Sequence, residues 1–305
     1  MTSRSAEALS LITGRLAALP LRSRSLRTTL ARDLSFAEAR AAGERAVRQD
    51  EDDPQVEPEY RTRLLTHPGR TGRAVLMLHG YAGSPHSFAH LAGHFHERGY
   101  NVYAPREPHH GLRPGSRPLS AAGLVRYADE ALDVVAGLGD EVGVIGFSGG
   151  GALATWLSAY RPASVRRLLL LAPFFRPHPT QAPRWAVPAL TLLFGLGVLP
   201  DRPVPGTGYT LHGVAQYLRV MANQPPGRLN PGLLGVGVAY SALDGFIDPA
   251  AALAVCERVA AASGVEPQIH RFPPDAGLIH DVVAPEVLLG NRAEVADLYL
   301  NLYEA

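Results

Sequence analysis

The sequence predicts an α/β fold built on a mainly parallel sheet. From residue 73 onward, short apolar strand patterns alternate with longer helical patterns, the order typical of parallel sheets. The run 167–172 is nearly all leucine, as expected for a strand buried on both faces. A hydrophobic content of 46% over 305 residues is enough for a substantial core.

The predicted elements follow one another without a long gap until residue 173. Strands are expected at 74–78, 101–104, 142–147, 167–172, 234–241 and 267–272. Helices are expected at 84–98, 120–138, from 149 to just before Pro162, at 250–263 and at 292–302.

One long insertion interrupts this alternation, at about 174–232. It is rich in Pro, Trp, Phe and Leu, and an insertion of this length is more often a functional lid than a structureless loop. We expect a cap over the strand ends. The alternative is a helical excursion that only thickens the core.

Residues 1–60 differ from the rest and predict a helical N-terminal extension. Apolar residues recur there at helical spacing, and arginine dominates the first 32 residues. The apolar positions are Leu9, Ile12, Leu16 and Leu19. Two interpretations stay open: an arm that packs on the main domain, or a basic amphipathic helix that makes peripheral contact with an anionic membrane. The acidic run 50–54, which ends in proline, predicts a linker.

The most informative local pattern is Gly146-x-Ser148-x-Gly150, placed between a predicted strand and a predicted helix. This is the spacing of a nucleophile elbow, a tight turn that exposes a serine hydroxyl at the edge of a sheet. Glycines are expected on both sides because a Cβ beside the serine would collide with the neighbouring strand and helix.

A serine needs a base to accept its proton and an acid to orient that base. Asp244 follows the strand at 234–241, and His280 follows the strand ending at 272. Asp248 and Asp275 are rival acids. We favour Asp244, because Asp248 precedes Pro249 at the start of a predicted helix, where an acid caps backbone N–H groups.

Together these motifs resemble the α/β-hydrolase superfamily, of the carboxylesterase and monoacylglycerol-lipase type, over about residues 70–305. His79-Gly80-Tyr81-Ala82-Gly83 resembles the family's oxyanion loop, and Asp244-x-x-Ile247 its acid loop. The resemblance implies a domain at 61–305, with Ser148 as nucleophile, His280 as base and Asp244 as the orienting acid. It also implies an oxyanion hole formed by the backbone N–H groups of Tyr81 and Gly149.

The resemblance further implies a serine hydrolase that cleaves a small-molecule carboxylic ester through an acyl-enzyme. The oxyanion loop has one glycine pair and no Gly-Gly-Gly run, and together with the apolar insertion at 174–232 this favours a medium-chain or monoacylglycerol-like ester. The Tyr81 side chain is expected to line the acyl pocket, and His110 is a candidate substrate contact, against a simple role in a turn. Alternative functions are a peptidase or acyltransferase on the same fold, or a non-catalytic lipid-binding protein.

The sequence disfavours several other functional classes of protein. The sequence contains no dinucleotide or Walker loop, so no cofactor is expected, and a net charge of +1 does not favour nucleic acid. His86, His90 and His94 share a helical face, but three ligands along one helix span too far for a single ion, so no metal is expected. A single cysteine and the lack of a secretory signal pattern favour a cytoplasmic protein.

Overall fold

A seven-stranded sheet forms the centre of the protein. The computed structural model describes residues 21–111, 119–225 and 230–305. The strands are β1 (Arg63–Leu65), β2 (Thr71–Leu78), β3 (Asn101–Ala104), β4 (Gly139–Phe147), β5 (Arg167–Leu171), β6 (Gly235–Ser241) and β7 (Gln268–Phe272). They lie in the order β1-β3-β2-β4-β5-β6-β7, and β1 alone runs antiparallel to its neighbour. The predicted α/β fold with a mainly parallel sheet is confirmed.

Helices flank this sheet. They are α1 (Phe36–Asp52), α2 (Ala89–Glu97), α3 (Ala121–Leu138), α4 (Gly149–Tyr160), α5 (Val187–Gly195), α6 (Leu211–Ala222), α7 (Pro249–Ser263), α8 (Pro285–Leu288) and α9 (Arg292–Glu304). Short 3-10 helices lie at Arg24–Leu26, Pro58–Tyr60, Pro85–Phe88, Pro274–Ala276 and Leu289–Asn291. Helices α3 and α4 pack on each other and against β2 and β4. Helix α9 packs on α2 and covers β5 and β6.

The core lies between the sheet and these helices. Residues 74–78 of β2 and the leucines of β5 have no exposed surface, which agrees with the apolar runs in their sequences. Trp156 of α4 is also completely buried, and its Nε1–H donates to the carbonyl oxygen of Leu26 at 2.8 Å. The core therefore extends to the N-terminal segment.

Helix α1 of the N-terminal region continues into the segment at 50–54, where the sequence predicted a linker. Helix α1 begins at a capping box between Ser35 and Glu38, packs on α3 and continues through Asp52. Asp50 is 4% exposed, and it accepts hydrogen bonds from the Thr62 N–H and from Arg106 Nε, each at 2.8 Å. The linker prediction was wrong because this carboxylate has buried partners elsewhere in the chain.

Two predictions about the N-terminus stay open. The amphipathic pattern from Leu9 to Leu19 lies outside the described residues, so its contact with a membrane remains a prediction. The division of the chain at residue 60 also remains a prediction.

The insertion between β5 and β6 carries α5 and α6. These helices pack on each other, and α6 also packs on α4, the helix that begins at the elbow. In the ranges the structure describes, no helix has both the length and the apolar character needed to cross a membrane.

Candidate active site

Ser148 lies on the turn between β4 and α4. Its backbone has φ +51° and ψ −116°, a left-handed conformation that is costly for a residue other than glycine. Hydrogen bonds on both sides hold this turn: the Ser148 N–H donates to the Leu171 carbonyl at 2.9 Å, and its own carbonyl accepts from the Phe174 N–H at 2.8 Å. The strained turn is therefore fixed by β5 and by the chain that follows it.

The glycines around Ser148 are required by close backbone contacts. A Cβ on Gly150 would lie 2.0 Å from the Leu78 carbonyl oxygen at the end of β2. A Cβ on Gly146 would lie 2.4 Å from the Gly150 carbonyl oxygen. Backbone atoms cannot move aside as a flexible side chain can, so the elbow needs glycine at both positions.

Ser148, His280 and Asp244 form one hydrogen-bonded chain. His280 Nε2 lies 2.9 Å from Ser148 Oγ, and His280 Nδ1 lies 2.7 Å from Asp244 Oδ2. Because a carboxylate only accepts, Nδ1 carries the proton and Nε2 is free to accept from the serine hydroxyl. The other oxygen of Asp244 accepts from the N–H groups of Phe246, at 2.8 Å, and Ile247, at 3.2 Å. The chain is thus arranged to move a proton from Ser148 to His280.

The rival acids have other partners. Asp248 caps α7 by accepting from the N–H groups of Ala250 and Ala251, and it forms ion pairs with Arg176 and Arg184. Asp275 lies in an exposed 3-10 turn. The structure therefore brings Asp244, and neither of these two, to His280.

The loop after β2 lies directly against the elbow. A Cβ on Gly80 would come within 2.8 Å of the Ser148 Cβ, so this loop depends on glycine to approach the serine. Within the described part of the chain, the backbone N–H groups of Tyr81 and Gly149 have no acceptor. Two free N–H groups beside a serine are suited to bind a negatively charged oxygen.

A largely apolar cavity opens beside Ser148. Tyr81 lies in its wall and stacks on Tyr209, with 5.3 Å between the ring centroids. The insertion between β5 and β6 supplies most of the other side chains. The lining residues are Tyr81, Ser148, Gly149, Phe174, Pro177, Gln181, Ala182, Leu190, Val204, Thr207, Tyr209, Leu211, Val214, Tyr217, Phe246 and His280. The cavity fits an apolar group attached to the atom that Ser148 would attack.

The structure does not bring His110 to the wall of this cavity. The residue is 7% exposed and lies behind the loop after β2. Its Nδ1 lies 3.2 Å from the Pro108 carbonyl oxygen, and its Nε2 accepts from the Ala82 N–H at 3.1 Å. Both ring nitrogens are therefore bonded to backbone groups.

Glu107 and Tyr217 were missed by the sequence analysis. Glu107 is 1% exposed, its Oε2 accepts from the Tyr217 hydroxyl at 2.5 Å, and burial raises its pKa to about 8. Burial lowers the pKa of His79 to about 3 and that of His110 to about 4. At pH 7 the two histidines are therefore neutral and Glu107 is mostly protonated. No local motif connects Glu107 with Tyr217, which lies on a different segment of the chain.

A metal has little to bind in this cluster. His79, Glu107 and His110 each offer a ligand atom, all within 4.8 Å of one another. However, the Nδ1 of His79 lies 3.0 Å from the Gly80 carbonyl, and its Nε2 accepts from the Glu107 N–H at 2.9 Å. His110 is engaged in the same way, and Glu107 Oε2 accepts from Tyr217, so only Oε1 of Glu107 would be free.

Comparison with known proteins places this geometry in a family. A family model described as serine aminopeptidase, S33, matches residues 69–221, about half of the chain. The match includes Ser148 but ends before Asp244 and His280. Among curated proteins, none matches the sequence significantly.

Solved structures share the fold. A metagenome-derived lipolytic enzyme aligns with a TM-score of 0.58 and 20% identity, over 81% of this chain and 98% of its own. A monoglyceride lipase from Saccharomyces cerevisiae aligns with a TM-score of 0.57 and 13% identity, over 80% and 92%. A carboxyl esterase from Bacillus coagulans aligns with a TM-score of 0.56 and 11% identity, over 79% and 94%. With this agreement in fold and the family match, the chain belongs to the serine aminopeptidase S33 family of α/β-hydrolases.

Proposed function

We propose that this protein is a serine hydrolase that cleaves medium-chain or monoacylglycerol-like carboxylic esters through an acyl-enzyme. The observation that supports it is the chain Ser148–His280–Asp244, which opens onto an apolar cavity. The chain provides a nucleophile with its base and its orienting acid. The cavity provides a place for the acyl group.

In the first step, Ser148 Oγ attacks the acyl carbon while its proton passes to His280 Nε2. The tetrahedral oxyanion binds the N–H groups of Tyr81 and Gly149, which lie at the base of the cavity. Such donors contribute about 2.7–4 kcal/mol each to the stability of the transition state. Asp244 stabilises the imidazolium that forms on His280.

In the second step, His280 donates the proton to the leaving alcohol, and Ser148 retains the acyl group as an ester. Water then attacks this ester while His280 accepts one of its protons. The tetrahedral intermediate breaks down when His280 returns a proton to Ser148 Oγ, and the carboxylic acid leaves. The enzyme is restored without a cofactor.

The lining of the cavity favours an acyl ester over a peptide. An aminopeptidase must bind the positively charged α-amine of its substrate, which a carboxylate does best. Among the described residues that line the cavity, none is Asp or Glu. The nearby Glu107 accepts from the Tyr217 hydroxyl, and with a pKa of about 8 it is mostly protonated at pH 7, so it does not supply this charge.

The fold relatives include enzymes described as lipolytic or as a monoglyceride lipase. At 13–20% identity they support the fold and not the substrate, so the proposal depends on the cavity.

A substrate panel tests the proposal. We would measure kcat/KM for glycerol monoesters with acyl chains from two to sixteen carbons, and for aminoacyl anilides with a free α-amine. We expect kcat/KM to rise by up to about 4-fold for each added CH₂ until the cavity is full, from about 0.8 kcal/mol of burial per CH₂. Faster cleavage of the anilides than of every ester would favour an aminopeptidase instead. Binding of fatty acid without any turnover would favour a carrier.

A further inference from the structure

A buried carboxyl lies behind the loop that carries the Tyr81 N–H. The loop after β2 and the loop after β3 are joined in two places by histidines. His79 accepts the Glu107 N–H at 2.9 Å, and His110 accepts the Ala82 N–H at 3.1 Å. Glu107 itself reaches toward both His110 and Tyr217. The position of the Tyr81–Ala82 peptide therefore depends on this small polar cluster.

Hydrogen bonding determines the protonation of this cluster. His110 Nδ1 faces a carbonyl oxygen, so it carries the ring proton, and Nε2 must offer a lone pair to the Ala82 N–H. The same Nε2 lies 3.2 Å from Glu107 Oε2. An ionised carboxylate there would place two lone pairs against each other. A protonated carboxyl instead directs its O–H toward the Nε2 lone pair, which it shares with the Ala82 N–H, while Oε2 still accepts from Tyr217.

The cluster also touches the other side of the candidate oxyanion site. Tyr217 lies on α6, and a Cβ on Gly149 would meet its ring at 2.6 Å. The hydroxyl of this ring donates to Glu107 at 2.5 Å. One aromatic ring thus separates Glu107 from the Gly149 N–H, and one histidine separates it from the Tyr81–Ala82 peptide.

We propose that Glu107, as a neutral carboxylic acid, is a positioning residue that holds the Tyr81 loop and Tyr217 around the oxyanion site. This inference rests on the proposed function, since it assigns Glu107 a role in stabilising the oxyanion of acyl transfer. Ionisation of Glu107 breaks its bond to His110 and places a negative charge one ring away from the developing oxyanion. Both effects lower the rate of the chemical step.

The direction of the pH dependence follows from this cluster. Burial raises the pKa of Glu107 to about 8, so the neutral form is lost above that pH. His79 and His110 have pKa values of about 3 and 4, and the pKa of Tyr127 and Tyr217 is raised well above 10. The titratable and charged groups around Glu107 are His79 at the end of β2, Arg106 and His110 on its own loop, Tyr127 on α3 and Tyr217 on α6.

The isosteric variant Glu107→Gln tests this role, because its amide cannot ionise. Its oxygen can still accept from Tyr217 or its NH₂ group can donate to His110, but no single amide atom makes both bonds as Oε2 of the acid does. We would follow hydrolysis of a glycerol monoester between pH 6 and pH 9.5. In the wild type, kcat/KM should fall about 10-fold from pH 7 to pH 9, as expected for a group with a pKa near 8 that must be protonated. In Glu107→Gln it should stay within about 3-fold of the pH 7 value. An identical alkaline decline in both proteins would overturn the inference.

Two further variants separate positioning from folding. Glu107→Leu removes both hydrogen bonds, and we expect kcat to fall about 10- to 100-fold with KM changed less than about 3-fold. Glu107→Gln keeps one of the two bonds and should lose less kcat than Glu107→Leu at pH 7. Equal losses in the two variants would contradict a role for these bonds. Glu141→Gln is the matched control, since Glu141 pairs with Arg167 at the far end of β4. Its pH profile should follow the wild type.

Thermal unfolding gives a readout that does not require activity. Because burial raises the pKa of Glu107 in the folded protein, the wild type should lose stability relative to Glu107→Gln as pH rises from about 4.5 to about 8. The difference in Tm should become constant above that range. A difference that does not change with pH would show that Glu107 is already ionised and overturn the inference. A wild type that hydrolyses no ester would instead contradict the proposed function, and the thermal difference would still report the protonation of Glu107.

Discussion

Asp244 Oδ2 lies 2.7 Å from His280 Nδ1, whereas Asp248 on the same loop points to the start of α7. Both carboxylates are nearly fully buried and each accepts two backbone N–H groups, so burial and local bonding do not distinguish them. Their other partners distinguish them, because Asp244 faces an imidazole and Asp248 faces two arginines.

This difference predicts opposite effects of one substitution. Asp244→Asn should lower kcat for ester hydrolysis by about 10⁴-fold, because an amide no longer fixes the tautomer of His280. Asp248→Asn should leave kcat within about 3-fold but destabilise the fold by about 1–3 kcal/mol, because the amide still caps α7 but no longer pairs a charge with Arg176 and Arg184. Steady-state kinetics and thermal unfolding of both variants measure these effects. A larger loss of kcat in Asp248→Asn would reverse the assignment.

The elbow predicts that glycine is required at position 150. Gly150→Ala places a Cβ 2.0 Å from the Leu78 carbonyl oxygen, so the turn must shift and Ser148 with it. We expect loss of reaction with a fluorophosphonate and a clearly lower Tm. Gly93→Ala is the control, because it lies within α2 and its Cβ would meet no atom within 4 Å. It should be neutral or stabilising by up to about 1 kcal/mol. Normal labelling of Gly150→Ala would contradict this account of the elbow.

The cavity wall predicts a change in chain-length preference. Val214 lies on α6 and lines the cavity, so Val214→Trp should shorten the space available to the acyl chain. We expect kcat/KM for an octanoyl ester to fall at least about 10-fold relative to an acetyl ester. Val198→Trp is the control, since Val198 is 62% exposed and absent from the cavity lining. Unchanged selectivity in Val214→Trp would place the acyl chain elsewhere.

Asn223 at the end of α6 predicts a structural role for the N-terminal segment. It is completely buried, accepts from the Ser23 N–H and from Arg27 Nε, and donates to the Leu21 carbonyl. Asn223→Ala leaves these groups without partners and should destabilise the protein by about 2–4 kcal/mol. Leu30→Ala, at a residue that is 71% exposed, should change stability by less than about 0.5 kcal/mol. Chemical unfolding of both variants tests this, and equal effects would contradict it.

The sheet was predictable because its signals are local. Each buried strand is a short apolar run, and the observed bounds of β3 coincide with the predicted 101–104. The elbow was recognisable for the same reason, since its glycines and serine are neighbours in sequence. The order of Ser148, Asp244 and His280 then identified candidates whose side chains the structure brings together.

The features that the sequence did not reveal depend on contacts between residues that lie far apart in the chain. The last turn of helix α1 is acidic and precedes Pro54, so residues 50–54 resemble a linker until Asp50 is seen to bind Arg106 and Thr62. Strand β1 has only three residues and pairs antiparallel with β3, which gives no periodicity to detect. Glu107 and Tyr217 meet only because α6 folds back over the elbow.

The most direct test of the central claim is the reaction of Ser148 itself. Intact-protein mass spectrometry after treatment with a fluorophosphonate should show one phosphonyl group on the wild type, located by peptide mapping at Ser148, together with loss of ester hydrolysis. Ser148→Ala should neither gain this mass nor hydrolyse the ester, while keeping the wild-type Tm within a few degrees. Labelling or hydrolysis retained by Ser148→Ala would contradict the account.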